Sequence, residues 1–363
     1  MINIDLLVVG AGPAGLSAAI KAGNAGASVL VLERSHQLGG QLVKQTHMFF
    51  GSEKQYATHR GFEISDILLA ELDKMENVTI QPHATVLAAY DDGIWTAEIE
   101  GQYQKIKPSA VVVATGASEK SLLFPGNDLP GIYGAGAVQT LMNQYGVKPA
   151  NRVVMLGAGN IGLIVSYQLM QAGVEVIAVV EGSPTIGGYL VHASKLRRMG
   201  VPIFTSHTIK NAKGANTNGL ESVTLWKLDE NWQGISGSEF TYHVDALCIA
   251  VGLSPLSELL WQIGCKMTFS APMGGYIPYR DKYMRTSQKG IYIAGDVGGV
   301  EEASSAMVSG QLAGISAAEY LGFEMPNMAA MKQDCLNQLA SLRQGPKGAH
   351  IRAGIRQAEV SFE

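Results

Sequence analysis

Short, wholly apolar runs alternate along this chain with glycine-rich turns and with longer stretches of helical spacing. Residues 4–9 form an apolar, β-leaning run. Gly10-Ala11-Gly12-Pro13-Ala14-Gly15 follows at once, then helical spacing to about residue 22. A second apolar run, 28–32, ends at Glu33. Continuous apolar runs of strand length mark strands covered on both faces, as in a parallel sheet. The pattern then recurs. Residues 152–156 run into Gly157-Ala158-Gly159-Asn160-Ile161-Gly162, helical spacing reaches about 172, and a strand over 175–180 ends at Glu181. The glycine-to-acid spacing agrees between the copies to within one residue. Each copy is followed by a β-rich segment, 78–106 (broken at Asp91-Asp92-Gly93 and Glu100-Gly101) and 222–242. Each then has an apolar strand closing on glycine: 111–114 before Thr115-Gly116, and 247–251 before Gly252. A last strand ends at Gly295-Asp296, ahead of a helix predicted over 304–321.

Strand, glycine turn, helix, strand and acid is the arrangement of a dinucleotide-binding βαβ unit. Gly10 permits the tight turn, Gly12 lets the backbone reach a diphosphate, and Gly15 lets the helix lie close on the strand. The helix N-terminus then presents unpaired N–H groups and a positive dipole end. Glu33 and Glu181 are placed to accept hydrogen bonds from a ribose. A glycine string alone says little in a chain with 43 glycines; its flanking strand, helix and acid give it meaning. Asp296, at the mouth of a parallel strand, can bond polyol hydroxyls or cap a turn.

Composition narrows the classes further. Twenty-seven Lys and Arg against 31 Asp and Glu give a net charge of −4, with no basic aromatic surface motif, so nucleic-acid binding is not expected. Charged residues make up 16% against ~25% in an average soluble domain. That favours bound cofactors or an oligomer. No apolar run reaches the ~18 residues of a membrane helix, and the N-terminus lacks the pattern of a signal peptide, so a cytoplasmic chain is expected. The three cysteines, Cys248, Cys265 and Cys335, form no CxxC pair and supply no zinc or iron–sulfur set.

The signatures Gly10 to Glu33, Gly157 to Glu181 and Gly295-Asp296, with Ala114-Thr115-Gly116, resemble the two-dinucleotide-binding flavoprotein family that includes thioredoxin reductase. The resemblance covers roughly residues 3–323. It implies an α/β chain with two Rossmann-like domains, the NAD(P)-binding domain (121–251) inserted into a discontinuous FAD-binding domain (1–120 and 252–325). It implies that Gly10, Gly12, Pro13, Ala14, Gly15 and Glu33 hold the ADP part of FAD and Gly295-Asp296 the ribityl chain. Gly40 and Gln41, within Gly39-Gly40-Gln41-Leu42, match the flavin-side loop, and Thr115-Gly116 completes the set. Gly157, Gly159, Asn160, Ile161, Gly162 and Glu181 would take a nicotinamide nucleotide. Glu181 favours NADH by repelling the 2′-phosphate of NADPH.

One departure redirects the expected chemistry. Where thioredoxin reductases carry a redox CxxC, this chain reads Gly134-Ala135-Gly136-Ala137-Val138-Gln139-Thr140-Leu141. Thiol–disulfide exchange needs a thiolate, so the internal dithiol route is not expected. Leu129-Pro130-Gly131 and Leu141-Met142-Asn143-Gln144-Tyr145-Gly146 instead resemble flavoprotein subunits of the hydrogen cyanide synthase and amino-acid or opine oxidase types. The activity implied is hydride transfer from NADH to FAD and onward to a small-molecule or protein acceptor. The alternative is a flavoprotein subunit beside a partner dehydrogenase, its second nucleotide site structural. His47, just after the flavin-side loop, is a candidate proton donor; packing with a local hydrogen bond is the other reading. Lys195-Leu196-Arg197-Arg198 is expected along a helix, as a solvated face, a phosphate contact or a partner contact. The extension 326–363, with Lys332, Arg343, Lys347, Arg352 and Arg356 and two helical pieces around Gly345-Pro346, is expected to dock a partner or lie solvated.

Overall fold

The computed structural model describes residues 1–215 and 219–362; residues 216–218 and Glu363, expected within the inserted domain and the extension, lie outside the described residues, as do the side chains of Ala215 and Lys347. The chain separates into two compact units, Met1–Ser118 with the stretch from Ser254 onward, and Glu119–Leu253.

The first unit is built on a sheet ordered Val78–Gln81, Val29–Leu32, Ile2–Val9, Gln102–Val113, with Trp95–Ile99 and Ala84–Ala89 beyond. The first four run parallel, and Ile291–Ile293 joins in parallel beside the end of Gln102–Val113. The apolar runs are covered on both faces: Leu6, Leu7 and Val8 have no exposed surface. Where the pattern suggested separate pieces up to 106 and over 111–114, one 12-residue strand spans Gln102–Val113. Its first half pairs antiparallel with Trp95–Ile99, and its second half is the buried parallel strand beside Ile2–Val9. The alternating half reads as an edge hairpin and the continuous half as core, which hid their continuity.

Helix Pro13–Asn24 lies against helix Ala303–Tyr320 through Gly310 and Gly314. A Cβ there would stand 2.1 Å from the Ala14 carbonyl oxygen and 2.3 Å from that of Ala18. Only glycine admits this approach, which sets Gly295-Asp296 beside the N-terminus of the first helix. The extension belongs to this unit. Helices Met328–Leu342 and Gly345–Ala358 bury Cys335 and Leu339 in one core and Ile355 and Ala358 against Met273 and Ile277 in another. Arg280 donates its backbone N–H to the Ala358 carbonyl (3.0 Å) and accepts at its own carbonyl from Val360 (2.9 Å).

The second unit repeats the design with the parallel order Ile203–Thr205, Glu175–Glu181, Arg152–Leu156, Ala246–Ile249, Ile132–Gly134. A three-stranded antiparallel sheet, His207–Ala215, Gly219–Lys227 and Phe240–His243, completes it. That sheet begins earlier than the expected 222–242, because its first strand is polar and carries two register shifts that blur its alternation. Helix Leu190–Arg198 carries Lys195, Arg197 and Arg198. Among the described residues no helix is long and apolar enough to cross a membrane.

Candidate nucleotide sites

In the first unit Gly10 turns the chain at φ +104°, and a Cβ on Gly15 would sit 1.8 Å from the Gly10 carbonyl oxygen, so strand and helix touch backbone to backbone. Helix Pro13–Asn24 starts at Gly12 with Pro13 in its first turn and no side-chain cap. Its first amides therefore face outward as an anion cradle. Ala14 is buried behind them. Glu33 ends the next strand; its Oε2 accepts from the Ala11 N–H (2.8 Å) and its Oε1 from the Ser35 N–H (2.9 Å). A carboxylate has about four acceptor positions, so two remain for hydroxyls. Gly39 donates to the Ala11 carbonyl (2.9 Å), and a Cβ on Gly40 would lie 2.7 Å from the Gly12 Cα. The Gly39-Gly40 loop thus roofs the cradle, with Gln41 exposed at its edge.

The second unit repeats this arrangement. Gly157 turns at φ +108°, and a Cβ on Gly162 would meet the Gly157 carbonyl oxygen at 2.0 Å. Helix Asn160–Gln171 begins at Gly159 without a side-chain cap. Glu181 accepts from Ala158 (2.8 Å) through Oε2 and from Ser183 (2.9 Å) through Oε1. Gly188 donates to the Ala158 carbonyl (2.8 Å), a Cβ on it would stand 2.9 Å from the Gly159 carbonyl carbon, and Tyr189 N–H reaches the Asn160 side chain (2.8 Å). Ile161 is partly exposed at the helix start. Sequence reasoning found the glycines and acids but missed this second roof. Its signal was present: residues 33–42 and 181–190 share Glu-x-Ser-x-x-(Leu/Ile)-Gly-Gly-x-Leu.

Gly295, at φ +71°, leaves 2.8 Å between an added Cβ and that of Ala14, so Asp296 stands next to the first cradle. Asp296 also caps its own turn, Oδ1 accepting from the Glu301 N–H (3.2 Å). Burial, with Glu301 adding a like charge, pushes its carboxyl up to about 7. A carboxyl so sheltered gains from neighbouring hydroxyls. Thr115, with Gly116 at φ +75°, closes the neighbouring strand, its hydroxyl donating to the Leu256 carbonyl (2.7 Å).

Three further residues were not legible. Arg343 of the extension grips Glu301 with two hydrogen bonds of 2.8 Å, both side chains about nine-tenths buried. Arg280 shares a small recess with them, its Nη1 buried without a hydrogen bond and 3.9 Å from Glu359 Oε2. Burial, with Arg343 beside it, pulls the Arg280 guanidinium below its ordinary value. The segment after the roof is held by the extension as well, through Lys54–Asp334 (2.9 Å) and a Gln55–Gln338 hydrogen bond. His47 stacks on Phe49, ring centres 5.6 Å apart. All three cysteines are free and buried; burial pushes Cys248 up to about 12, Cys335 up to about 11, and Cys265 up as well. None is poised as a thiolate. Among the described residues no cluster of His, Cys, Asp or Glu could hold a metal ion.

Comparison with known proteins agrees with this architecture. An opine oxidase subunit from Agrobacterium tumefaciens (strain Ach5) is 29% identical over 330 residues, covering 86% of this chain and 65% of the relative, so the chain spans less than two thirds of that protein. The hydrogen cyanide synthase subunit HcnB of Pseudomonas protegens (strain DSM 19095 / LMG 27888 / CFBP 6595 / CHA0) is 26% identical over 382 residues, covering 99% of this chain and 80% of the relative. Thioredoxin reductase of T. acidophilum shares the fold, with a TM-score of 0.72 at 22% identity over 88% of this chain and 99% of its own. The family model of the pyridine nucleotide-disulphide oxidoreductases matches residues 4–310. With paired Rossmann-like units, each closed by its own glycine turn and acid, the chain belongs to the pyridine nucleotide-disulphide oxidoreductase family, a family of FAD-dependent, pyridine-nucleotide-linked enzymes.

Proposed function

We propose that this chain is an FAD-dependent oxidoreductase that takes a hydride from NADH and passes electrons to a small-molecule or protein acceptor without a protein disulfide. The observation that carries the reading is the pair of equivalent uncapped helix starts after glycine turns in one chain, with a sheltered carboxyl, Asp296, beside the first. Gly10, Gly12, Pro13, Ala14, Gly15 and Glu33 hold the ADP part of FAD, roofed by Gly40 and Gln41; Gly295, Asp296, Thr115 and Gly116 receive the rest. Gly157, Gly159, Asn160, Ile161, Gly162 and Glu181 hold the nicotinamide nucleotide, and the Glu181 charge disfavours a 2′-phosphate. Bound FAD supplies the two-electron chemistry; the side chains bind, orient and tune. His47, stacked on Phe49, is the proton donor this reading assigns. The cytoplasm, where NADH is supplied, is the compartment it implies.

The names of the relatives favour a second form of the same reading. In it the chain is one component of a multi-subunit dehydrogenase of the amine, amino-acid or opine type, and its second nucleotide site is structural. Anaerobic addition of NADH separates the two. Rapid bleaching of the flavin absorbance supports the first; nucleotide binding without bleaching supports the second.

A further inference from the structure

The two cradles agree at the diphosphate and at the ribose, and part company where a base would lie. In the second unit Glu181 is followed by Gly182, and against Gly182 stands the indole of Trp232: a Cβ built on the glycine would be 2.7 Å from Cζ3 and 3.5 Å from Cη2 of that ring. Trp232 is 61% exposed and has φ +62°, a backbone conformation that a bulky side chain rarely takes. The turn that imposes it is held by hydrogen bonds. Trp232 N–H donates to the Asp229 carbonyl (3.1 Å), and Asp229 Oδ1 accepts from the Asn231 and Gln233 amides (2.9 and 2.8 Å). The hairpin is tied to the ribose acid by a short chain of hydrogen bonds: Leu228 N–H donates to the Ser206 carbonyl (2.7 Å), Ser206 N–H to the Ser183 carbonyl (3.0 Å), and Ser183 N–H to Glu181 Oε1 (2.9 Å). A strained, well-anchored turn thus holds an open aromatic ring beside the residue next to the ribose acid.

We infer that Trp232 is a specificity-determining residue of the second site, a platform on which the base of an adenine nucleotide stacks. The diphosphate lies on the amides of helix Asn160–Gln171 and the ribose on Glu181. The base, one glycosidic bond further, then falls over Gly182 and Ser183, where the indole waits. Gly182 is small because any side chain would displace that ring. Every base has a π-face, and stacking on an aromatic side chain contributes ~1–3 kcal/mol per base, or about 5- to 150-fold in affinity. Among the described residues directly after Glu33, the first unit has no tryptophan. There Arg34 and Ser35 lead to His36, stacked on His83 with ring centres 6.2 Å apart.

This inference rests on the second site being a nucleotide site, and the experiment keeps the two apart. ADP-ribose is titrated calorimetrically into the FAD-saturated protein, so that the first cradle is filled, for wild type, Trp232→Ala, Trp232→Phe and Gly182→Val. The expected result is binding to wild type, near-wild-type binding to Trp232→Phe, about tenfold weaker binding to Trp232→Ala, and similar weakening in Gly182→Val, with melting temperatures of the exposed-turn variants unchanged. Quenching of tryptophan fluorescence by ADP-ribose should be smaller in Trp232→Ala. Wild-type affinity in Trp232→Ala overturns the platform and leaves the nucleotide site standing. No binding of ADP-ribose to wild type overturns the nucleotide site itself.

Discussion

The two βαβ units of this chain are a matched pair in which the same backbone geometry is supported in different ways. Both cradles have a glycine turn, a backbone-to-backbone contact of strand with helix, an acid bonded to two amides, and a Gly-Gly roof. The first adds Gly295-Asp296 and, behind it, the Glu301–Arg343 pair supplied by a segment far along the chain. The second adds instead an exposed tryptophan on a hairpin. The difference teaches that the glycine fingerprint fixes a tight turn, an open helix N-terminus and an acid only; what surrounds them is set by residues the fingerprint does not contain.

The strongest way to break the comparison is to fill one cradle at a time. Gly15→Val drives a side chain into the Gly10 carbonyl and should leave a colourless protein that retains no FAD, whereas Gly162→Val should stay yellow and lose ADP-ribose binding. Absorbance of the purified variants and calorimetry check both. Next in size, Arg343→Met strands the buried Glu301 carboxylate and should cost about 3–5 kcal/mol, read as a lower melting temperature and loss of FAD. It should leave ADP-ribose affinity unchanged, since both residues belong to the first unit.

Asp296 sharpens the contrast through pH. Its folded carboxyl titrates at about 7, above the ~3.9 of an unfolded aspartate. The stability this proton confers is therefore complete below about pH 4 and lost as pH rises through 7. In the flavin-free protein, Asp296→Asn should match wild type at pH 4 and melt higher at pH 8, by on the order of 2 kcal/mol, while binding FAD more weakly. A variant that melts below wild type at pH 8 would count against the assignment. A smaller effect is expected of Glu181→Gln, which should weaken NADH about tenfold and narrow its advantage over NADPH, as Glu33→Gln should weaken FAD. The least is expected of His47→Ala, which slows turnover with an established acceptor if it donates a proton and leaves it unchanged if it only stacks.

Much of this pairing was legible because its causes are local. Gly10, Gly15, Gly157 and Gly162 are dictated by contacts within one strand–helix turn, and Glu33 and Glu181 by the strand that follows. The second Gly-Gly roof was equally local and was overlooked because the first drew its meaning from a flavin-side motif. The reach of Arg343 to Glu301, of Ala358 and Val360 to Arg280, and of Trp232 to Gly182 could not be read, because each joins positions that only the tertiary fold brings together, and none leaves a periodic trace. Likewise the strand His207–Ala215 escaped because polar residues and bulges erase the alternation on which strand recognition relies.

The stitching of Ala358 and Val360 to the two sides of Arg280 also has a consequence for biosynthesis. During translation the inserted unit can close early, since all of it has been made by residue 253. The first unit must wait, half-made, for some hundred further residues, among them the helix that bears Ile355. Between those moments a nascent chain holds one finished unit and one open sheet, and on the proposed reading the flavin would be captured late.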